Sequence, residues 1–190
     1  VSSQVLVLFA SQYGFTENYA RWIAEDLLSL RPEVEVQLSP IAQATAAQVQ
    51  AADAVVAGAS DYGGFLTGAG ELKKLAPQLK SKPRFFFSVS FSGLAGAPAE
   101  KLDGIVSKNF GNDLVEGARL YHFRGGLDHT RLSLKHKTTM MGIRAAIAAL
   151  PNKNEANRQM LESFEKKTVD YSDRSAIAPL VEDVLAALGS

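Results

Sequence analysis

The chain has 190 residues, 46% of them hydrophobic and 21% charged, a composition that builds one well-buried globular core and excludes a disordered chain. Twenty basic residues balance 20 acidic ones, which argues against nucleic-acid binding, since electrostatic binders carry a basic excess. Cysteine is absent, so disulfides, thiolate metal sites, cysteine-ligated iron–sulfur clusters and cysteine nucleophiles are excluded, and any redox chemistry must reside on a bound cofactor. The opening Val1-Ser2-Ser3-Gln4 shows neither a basic region nor a cleavage-site pattern. The apolar run Val5 to Ala10 is too short to span a bilayer, and a soluble cytoplasmic protein is expected.

Val5-Leu6-Val7-Leu8-Phe9-Ala10 is apolar throughout, as a central parallel strand covered on both faces requires. Beyond residue 16 the period changes: Ala20, Ile23, Ala24, Leu27 and Leu28 recur at helical spacing and predict the first helix. After Pro32, the alternation of Val34, Val36 and Leu38 predicts a second strand nearer an edge. Thr45 is placed to cap a short helix containing Val49, and Ala54 to Ala59 reads as another buried strand. A loop over Ser60 to Phe65 follows, then a helix from Thr67 to Leu79 that would have to contain Pro77. Arg84 to Ser90 is the fourth strand. Glu100 to Phe110 is a helix with Leu102, Ile105, Val106 and Phe110 on its apolar face, and Ala118 to Phe123 is the fifth strand. The last helix, Arg174 to Leu188, carries the stripe Ile177, Leu180, Val181, Val184, Leu185 and Leu188. Five strands separated by helices predict one doubly wound α/β domain over residues 1–190.

Residues 124–167 stand apart. Nine Lys or Arg face four acids there, whereas the rest of the chain has eleven bases and sixteen acids, so overall neutrality hides a polarised surface. Residues 124–172 are expected to form a basic, extended helical segment between the fifth strand and the last helix. Within it, Ala145 to Ala149 predicts a helix packed closely against a neighbour.

The turn after the first strand offers hydroxyls at Ser11 and Thr16, a glycine at Gly14 and an immediate helix start. Backbone N–H groups there, helped by those hydroxyls, can surround a phosphate without a lysine; the alternative is that Ser11 and Thr16 only cap the helix. The Gly-Lys-Ser/Thr ending of an ATP loop and the three spaced glycines of a dinucleotide fingerprint are both missing. Two further loops leave the same sheet edge, with Ser60, Tyr62, Gly63 and Gly64 on one and Ser90, Phe91, Ser92 and Gly93 on the other. A flavin ring needs apolar faces and backbone donors and acceptors along its pyrimidine edge, which these loops can supply. Tyr62 is the preferred stacking residue, ahead of Phe91.

Val7-Leu8-Phe9-Ala10-Ser11-Gln12-Tyr13-Gly14-Phe15-Thr16-Glu17 resembles the phosphate loop of the flavodoxin family, whose members bind FMN on a five-stranded sheet of order 2-1-3-4-5. Later segments are similar to flavodoxin-domain proteins related to the menaquinone-dependent protoporphyrinogen oxidases. These are Gly58-Ala59-Ser60-Asp61-Tyr62-Gly63, Phe86-Phe87-Ser88-Val89-Ser90, Phe123-Arg124-Gly125-Gly126-Leu127-Asp128-His129 and Thr168-Val169-Asp170-Tyr171-Ser172-Asp173. The resemblance implies that Ser11, Gln12, Tyr13, Gly14, Phe15 and Thr16 hold the FMN phosphate. It places Ser60, Asp61, Tyr62 and Gly63 at the ribityl chain and ring, and Ser90, Phe91, Ser92 and Gly93 on the ring's other side. Where the oxidase branch has an arginine- and aromatic-rich insertion, this chain has Lys135-His136-Lys137-Thr138-Thr139-Met140-Met141-Gly142 running into the alanine-rich helix.

The expected activity is an FMN-dependent oxidoreductase, with a porphyrinogen-type donor and a quinone acceptor implied by the resemblance. The alternatives are an electron carrier between redox proteins and a non-redox interaction protein retaining the fold. Arg124 and Arg131 are candidates for the carboxylates of a tetrapyrrole substrate, and His129 for proton transfer beside it. The basic segment can equally dock an acidic partner, touch anionic lipid peripherally, or be a solvated helix face. His122, His129 and His136 recur every seven residues without metal-ligand spacing. Asp128, Asp170 and Asp173 read as helix-start residues, and the chain lacks the Gly-x-Ser-x-Gly of a hydrolase elbow.

Overall fold

In the computed structural model, which describes residues 1–132 and 134–189, the hydrophobic runs become a central sheet. Its parallel strands β1 (Gln4–Ala10), β2 (Glu35–Pro40), β3 (Ala54–Tyr62), β5 (Arg84–Ser90) and β6 (Arg119–Arg124) lie in the order β2-β1-β3-β5-β6. Counting parallel strands alone, this is the expected 2-1-3-4-5. The short β4 (Phe65–Leu66) turns back antiparallel onto Asp61 and Tyr62, so the stretch after Ser60 is a hairpin rather than the loop predicted.

Each face of the sheet has its own apolar layer. Val5, Val7, Phe85 and Phe87 pack with Tyr19, Ile23 and Leu27 of α1 (Phe15–Leu30) and with Leu180 and Val184 of α9 (Ala178–Ala187). On the opposite face Leu6, Leu8, Val55 and Phe86 meet α2 (Ala46–Ala51), α3 (Ala69–Lys74), α4 (Ala76–Leu79), α5 (Ala99–Phe110) and α6 (Asn112–Val115). Continuous apolar strands are what a sheet covered on both faces requires. The predicted helix over 67–79 is two helices that break at Leu75, because Pro77 has no N–H to continue the first one. Thr45 caps α2 as predicted, in a reciprocal box with Gln48. Leu28 and Leu38, read as apolar-face residues, are exposed. The last helix opens with a tight 3-10 turn over Arg174–Ile177, which Asp173 caps.

The segment after β6 is not simply helical. It contains β7 (Gly126–Asp128), α7 (Leu134–Ala148), α8 (Glu155–Lys166) and β8 (Thr168–Asp170), with β7 and β8 paired antiparallel as a two-stranded ribbon. Leu127, Leu132, Met140 and Val169 form its small core, against which Tyr13, Phe91 and Met160 pack. Ala145, Ala146, Ala148 and Ala149 are exposed, so the close helix packing expected there is not formed among the described residues.

Tyr19 holds this unit to the sheet. Fully buried, it donates its hydroxyl to the carbonyl of Arg124 and accepts the N–H of Asp173 at 2.9 Å, so one phenol ties down both ends of the extension. Tyr19→Phe leaves a partly buried carbonyl and a partly buried N–H without this partner. It should cost about 1–3 kcal/mol in denaturant unfolding, with proteolysis beginning in residues 125–172.

Candidate functional site

Parallel strands of a doubly wound sheet deliver their carboxyl ends to one edge, where the order reverses between β1 and β3. Three loops meet at that edge. In the first, Gly14 has φ 93°, a left-handed conformation that glycine adopts at little cost, and it opens α1. The Gly14 N–H donates to Ser11 Oγ at 2.8 Å, and the first-turn amides of α1 point out of the helix start with its positive dipole end. Thr16 Oγ1 lies 2.7 Å from Ser60 Oγ, and the Gln12 N–H donates to that same Ser60 oxygen at 3.2 Å. The first and second loops are thus one bonded unit.

In the second loop, Asp61 accepts the Gly64 N–H at 2.8 Å, and burial raises its carboxyl above the usual carboxylate range. Asn109 of α5 fixes the hairpin by donating to the Gly64 carbonyl and accepting from the Leu66 N–H. In the third, Ser90 Oγ accepts the Gly93 N–H at 2.9 Å. Gly93 has φ 50°, and a Cβ there would meet Arg124 Cγ at 2.8 Å.

Between the loops is a cavity of about 310 Å³. Gln12, Tyr13 and Phe15 line it from the first loop, Ser60, Asp61, Tyr62 and Gly63 from the second, and Ser90, Phe91, Ser92 and Gly93 from the third. Thr139, Met140 and Ile143 of α7 and Met160 of α8 complete the wall, so the extension forms part of the cavity. Ser11, Gly14 and Thr16 build the turn behind Gln12 and Tyr13 and do not line this cavity. Among the described residues the hydroxyls of Tyr13 and Tyr62 are buried without a hydrogen-bond partner, and burial raises both phenols' pKa. Both residues line the cavity, and their phenols are protonated at neutral pH. The Tyr62 ring also stands 4.6 Å from the ring of His136.

Arg124, His129 and Arg131 do not line the cavity. Arg124 donates to the Phe91 carbonyl at 3.1 Å and to Gln159 Oε1 at 2.7 Å, and its guanidinium sits 4.4 Å over the Tyr171 ring. His129 Nε2 pairs with Ser163 Oγ at 3.0 Å and its ring packs on Phe164. Arg131 donates to the Tyr13 carbonyl at 3.2 Å. The three histidines occupy separate settings on β6, beside β7 and on α7, and among the described residues no group of three or more His, Asp or Glu could hold a metal ion.

A second polar group escaped the sequence reading. Ser88 Oγ is 2.7 Å from His122 Nδ1, and His122 Nε2 is 2.6 Å from Asp103 Oδ1. The order resembles a hydrolase triad, but Ser88 is 2% exposed and does not line the cavity, so a substrate cannot reach it. The signal was one serine inside the apolar run Phe85 to Val89, since a buried hydroxyl needs a partner.

The family profile described as flavodoxin domain matches residues 6–153. The chain belongs to the flavodoxin-domain family. Its cofactor is FMN, which the loop and cavity fit by two criteria: a helix start with first-turn amide donors, and an apolar slot lined by two phenols that have no partner among the described residues. Similar solved structures include a flavodoxin from the domain Archaea, 17% identical over 86% of this chain and 98% of that one, with a TM-score of 0.44. Oxidised flavodoxin 2 from Bacillus cereus is 20% identical over 87% and 99%, with a TM-score of 0.48. Two-electron reduced Megasphaera elsdenii flavodoxin is 18% identical over 62% and 82%, with a TM-score of 0.47. No curated protein matches the chain.

Burial pushes the His129 imidazole below its usual value of 6.5. Above 6.5 the ring is neutral in both folded and unfolded chains and contributes no pH dependence. As pH falls through 6.5 the unfolded chain takes up a proton that the folded one resists, so stability is lost toward acid. Limited proteolysis between pH 7.5 and about pH 5 should therefore show the ribbon and α8 loosening in the wild type. His129→Gln should respond less steeply.

Proposed function

We propose that this chain is an FMN-dependent oxidoreductase acting on a small, flat, largely apolar redox substrate beneath the extension. The observation that carries this is the wall contributed by α7 and α8: Met140, Ile143 and Met160 make the site a walled apolar slot, as a small-molecule pocket requires. The turn of Ser11 to Thr16 with the start of α1 would hold the phosphate, Ser60 to Gly63 the ribityl side, and Ser90 to Gly93 the other side of the ring. Bound FMN supplies the acceptance of a hydride or electrons. The chain's own part is to orient the ring, to keep water away with the methionines and Leu127, and to offer protonated Tyr13 and Tyr62 as hydrogen-bond donors.

A porphyrinogen donor and a quinone acceptor are the specific pair that the motif resemblance adds. At about 310 Å³ the slot lies near the lower end of small-ligand pockets, so a tetrapyrrole would enter only if α7 moved outward. Arg124 and His129 would act on such a substrate only after leaving their present partners. Contact with an anionic membrane surface would run through α7, where Met141 and Ile143 are exposed beside Arg144. Among the described residues no helix is long and apolar enough to cross a membrane.

Phe65, 72% exposed, and Leu94, 55% exposed, favour a second reading as an electron carrier. Both sit on elements that frame the site, and exposed apolar side chains there suit docking of a redox protein.

Anaerobic reconstitution with FMN, followed by a turnover screen of quinones and reduced tetrapyrroles, separates the readings. Quinone reduction coupled to donor oxidation supports the enzyme, and a stable complex with a redox protein without turnover supports the carrier. Protein that stays colourless at saturating FMN overturns both. Thr16→Ala and Gly14→Val should each weaken FMN retention about tenfold in a flavin fluorescence titration, and unchanged affinity in both would refute the phosphate placement.

A further inference from the structure

The extension reaches the phosphate turn as well as the flavin slot. Residues 11–16 contain no Lys or Arg, so the turn can offer a phosphate amides, hydroxyls and a helix dipole but no full positive charge. Arg131 brings one. It is exposed, it lies in the short 3-10 turn that follows β7, and its Nη1 donates to the Tyr13 carbonyl one residue before Gly14. Among the described residues it makes no salt bridge, although, after the Thr130 hydrogen bond, its charge helps to hold the nearby Asp128 carboxyl below its usual range. The adjacent carboxylate of Asp128 accepts from the Thr130 N–H at 3.0 Å and from the hydroxyls of Thr130 and Thr168.

The backbone leading to Arg131 is firmly held. A Cβ on Gly125 would meet Phe15 Cβ at 3.1 Å, and one on Gly126 would meet the Val169 carbonyl at 1.9 Å. The chain therefore presses directly on the first residue of α1, and the N–H of Gly125 reaches the Ser90 carbonyl at 2.9 Å. Arg131 is carried on that clamp and is poised at the turn before any ligand arrives.

We propose that Arg131 is a phosphate-binding residue of the FMN site, a cation supplied by the extension to a turn that lacks one. The proposal rests on the FMN assignment above. A guanidinium presents a fork of N–H donors suited to two phosphate oxygens, and one of those donors already orients it from the Tyr13 carbonyl. Arg131 thereby serves the cofactor rather than a substrate carboxylate. The extension also becomes part of the cofactor site.

The test compares FMN with riboflavin, which has the same ring and ribityl chain but no phosphate. Dissociation constants for both are measured at low and high salt in the wild type, Arg131→Gln and Arg131→Lys. The expected result is that Arg131→Gln weakens FMN about tenfold, leaves riboflavin within about twofold and flattens the salt dependence, while Arg131→Lys recovers part of the loss. Equal weakening of FMN and riboflavin would overturn the proposal by making Arg131 a prop for the Tyr13 loop. Unchanged FMN affinity in Arg131→Gln would overturn it as well, with the FMN assignment intact. Wild-type protein that binds neither flavin would sink that assignment and this proposal together.

Discussion

The architecture of the site depends on one buried phenol. Tyr19 lies on the helix that starts at the Ser11–Thr16 turn, and its hydroxyl joins the carbonyl ending β6 to the amide preceding the last helix. Its ring stacks on Phe123 at 4.9 Å and meets Trp22 edge-on at 5.3 Å, which fixes where that hydroxyl can be. The same helix therefore positions the Ser11–Thr16 turn at its start and the extension one turn later. Without the tie, the ribbon would still pair, but its placement beside the cavity would rest on the close approach of Gly125 and Gly126 to Phe15, the bonds of Gly125, Arg124 and Arg131 to the Ser90, Phe91 and Tyr13 carbonyls, and the packing of Tyr13 and Phe91 on its small core.

From that constraint the division of labour follows. The sheet edge supplies three rigid turns whose polar side chains largely bond to their own loops: Ser11 to Gly14, Asp61 to Gly64, Ser90 to Gly93. Each of these bonds uses one glycine N–H and in return fixes the backbone of its turn, so the edge is pre-organised before a ligand arrives. The extension supplies what the edge lacks, namely apolar cover from Met140, Ile143 and Met160.

Much of this was legible in the chain itself. Apolar runs at Val5 to Ala10, Ala54 to Ala59 and Arg84 to Ser90 marked three central strands, because only a doubly covered parallel sheet tolerates such continuity, while the strand order came from the resemblance of the first loop to the flavodoxin family. The three loops of the site were legible because glycine and hydroxyl residues cluster immediately after those runs. What escaped was tertiary. Tyr19 reads as one more apolar residue on a helix, Asn109 as a polar residue on a mostly solvated face, and Ser88, His122 and Asp103 are separated by 34 residues along the chain. The role of 124–172 escaped for a related reason: β7 and β8 have three residues each, and a ribbon closed by partners some forty positions apart leaves no local periodicity.

The ribbon also says how such a chain can vary. Asp128 lies opposite Thr168, so the path departs from the domain and rejoins it at one spot. Whatever is strung between those two positions closes on itself without disturbing the sheet, and lengthening it adds only slowly to the entropy of closure. The stretch from 129 to 167 is thus closed at its own base, so a change in its length would be felt where Met140, Ile143 and Met160 meet the site rather than in the pairing of the sheet.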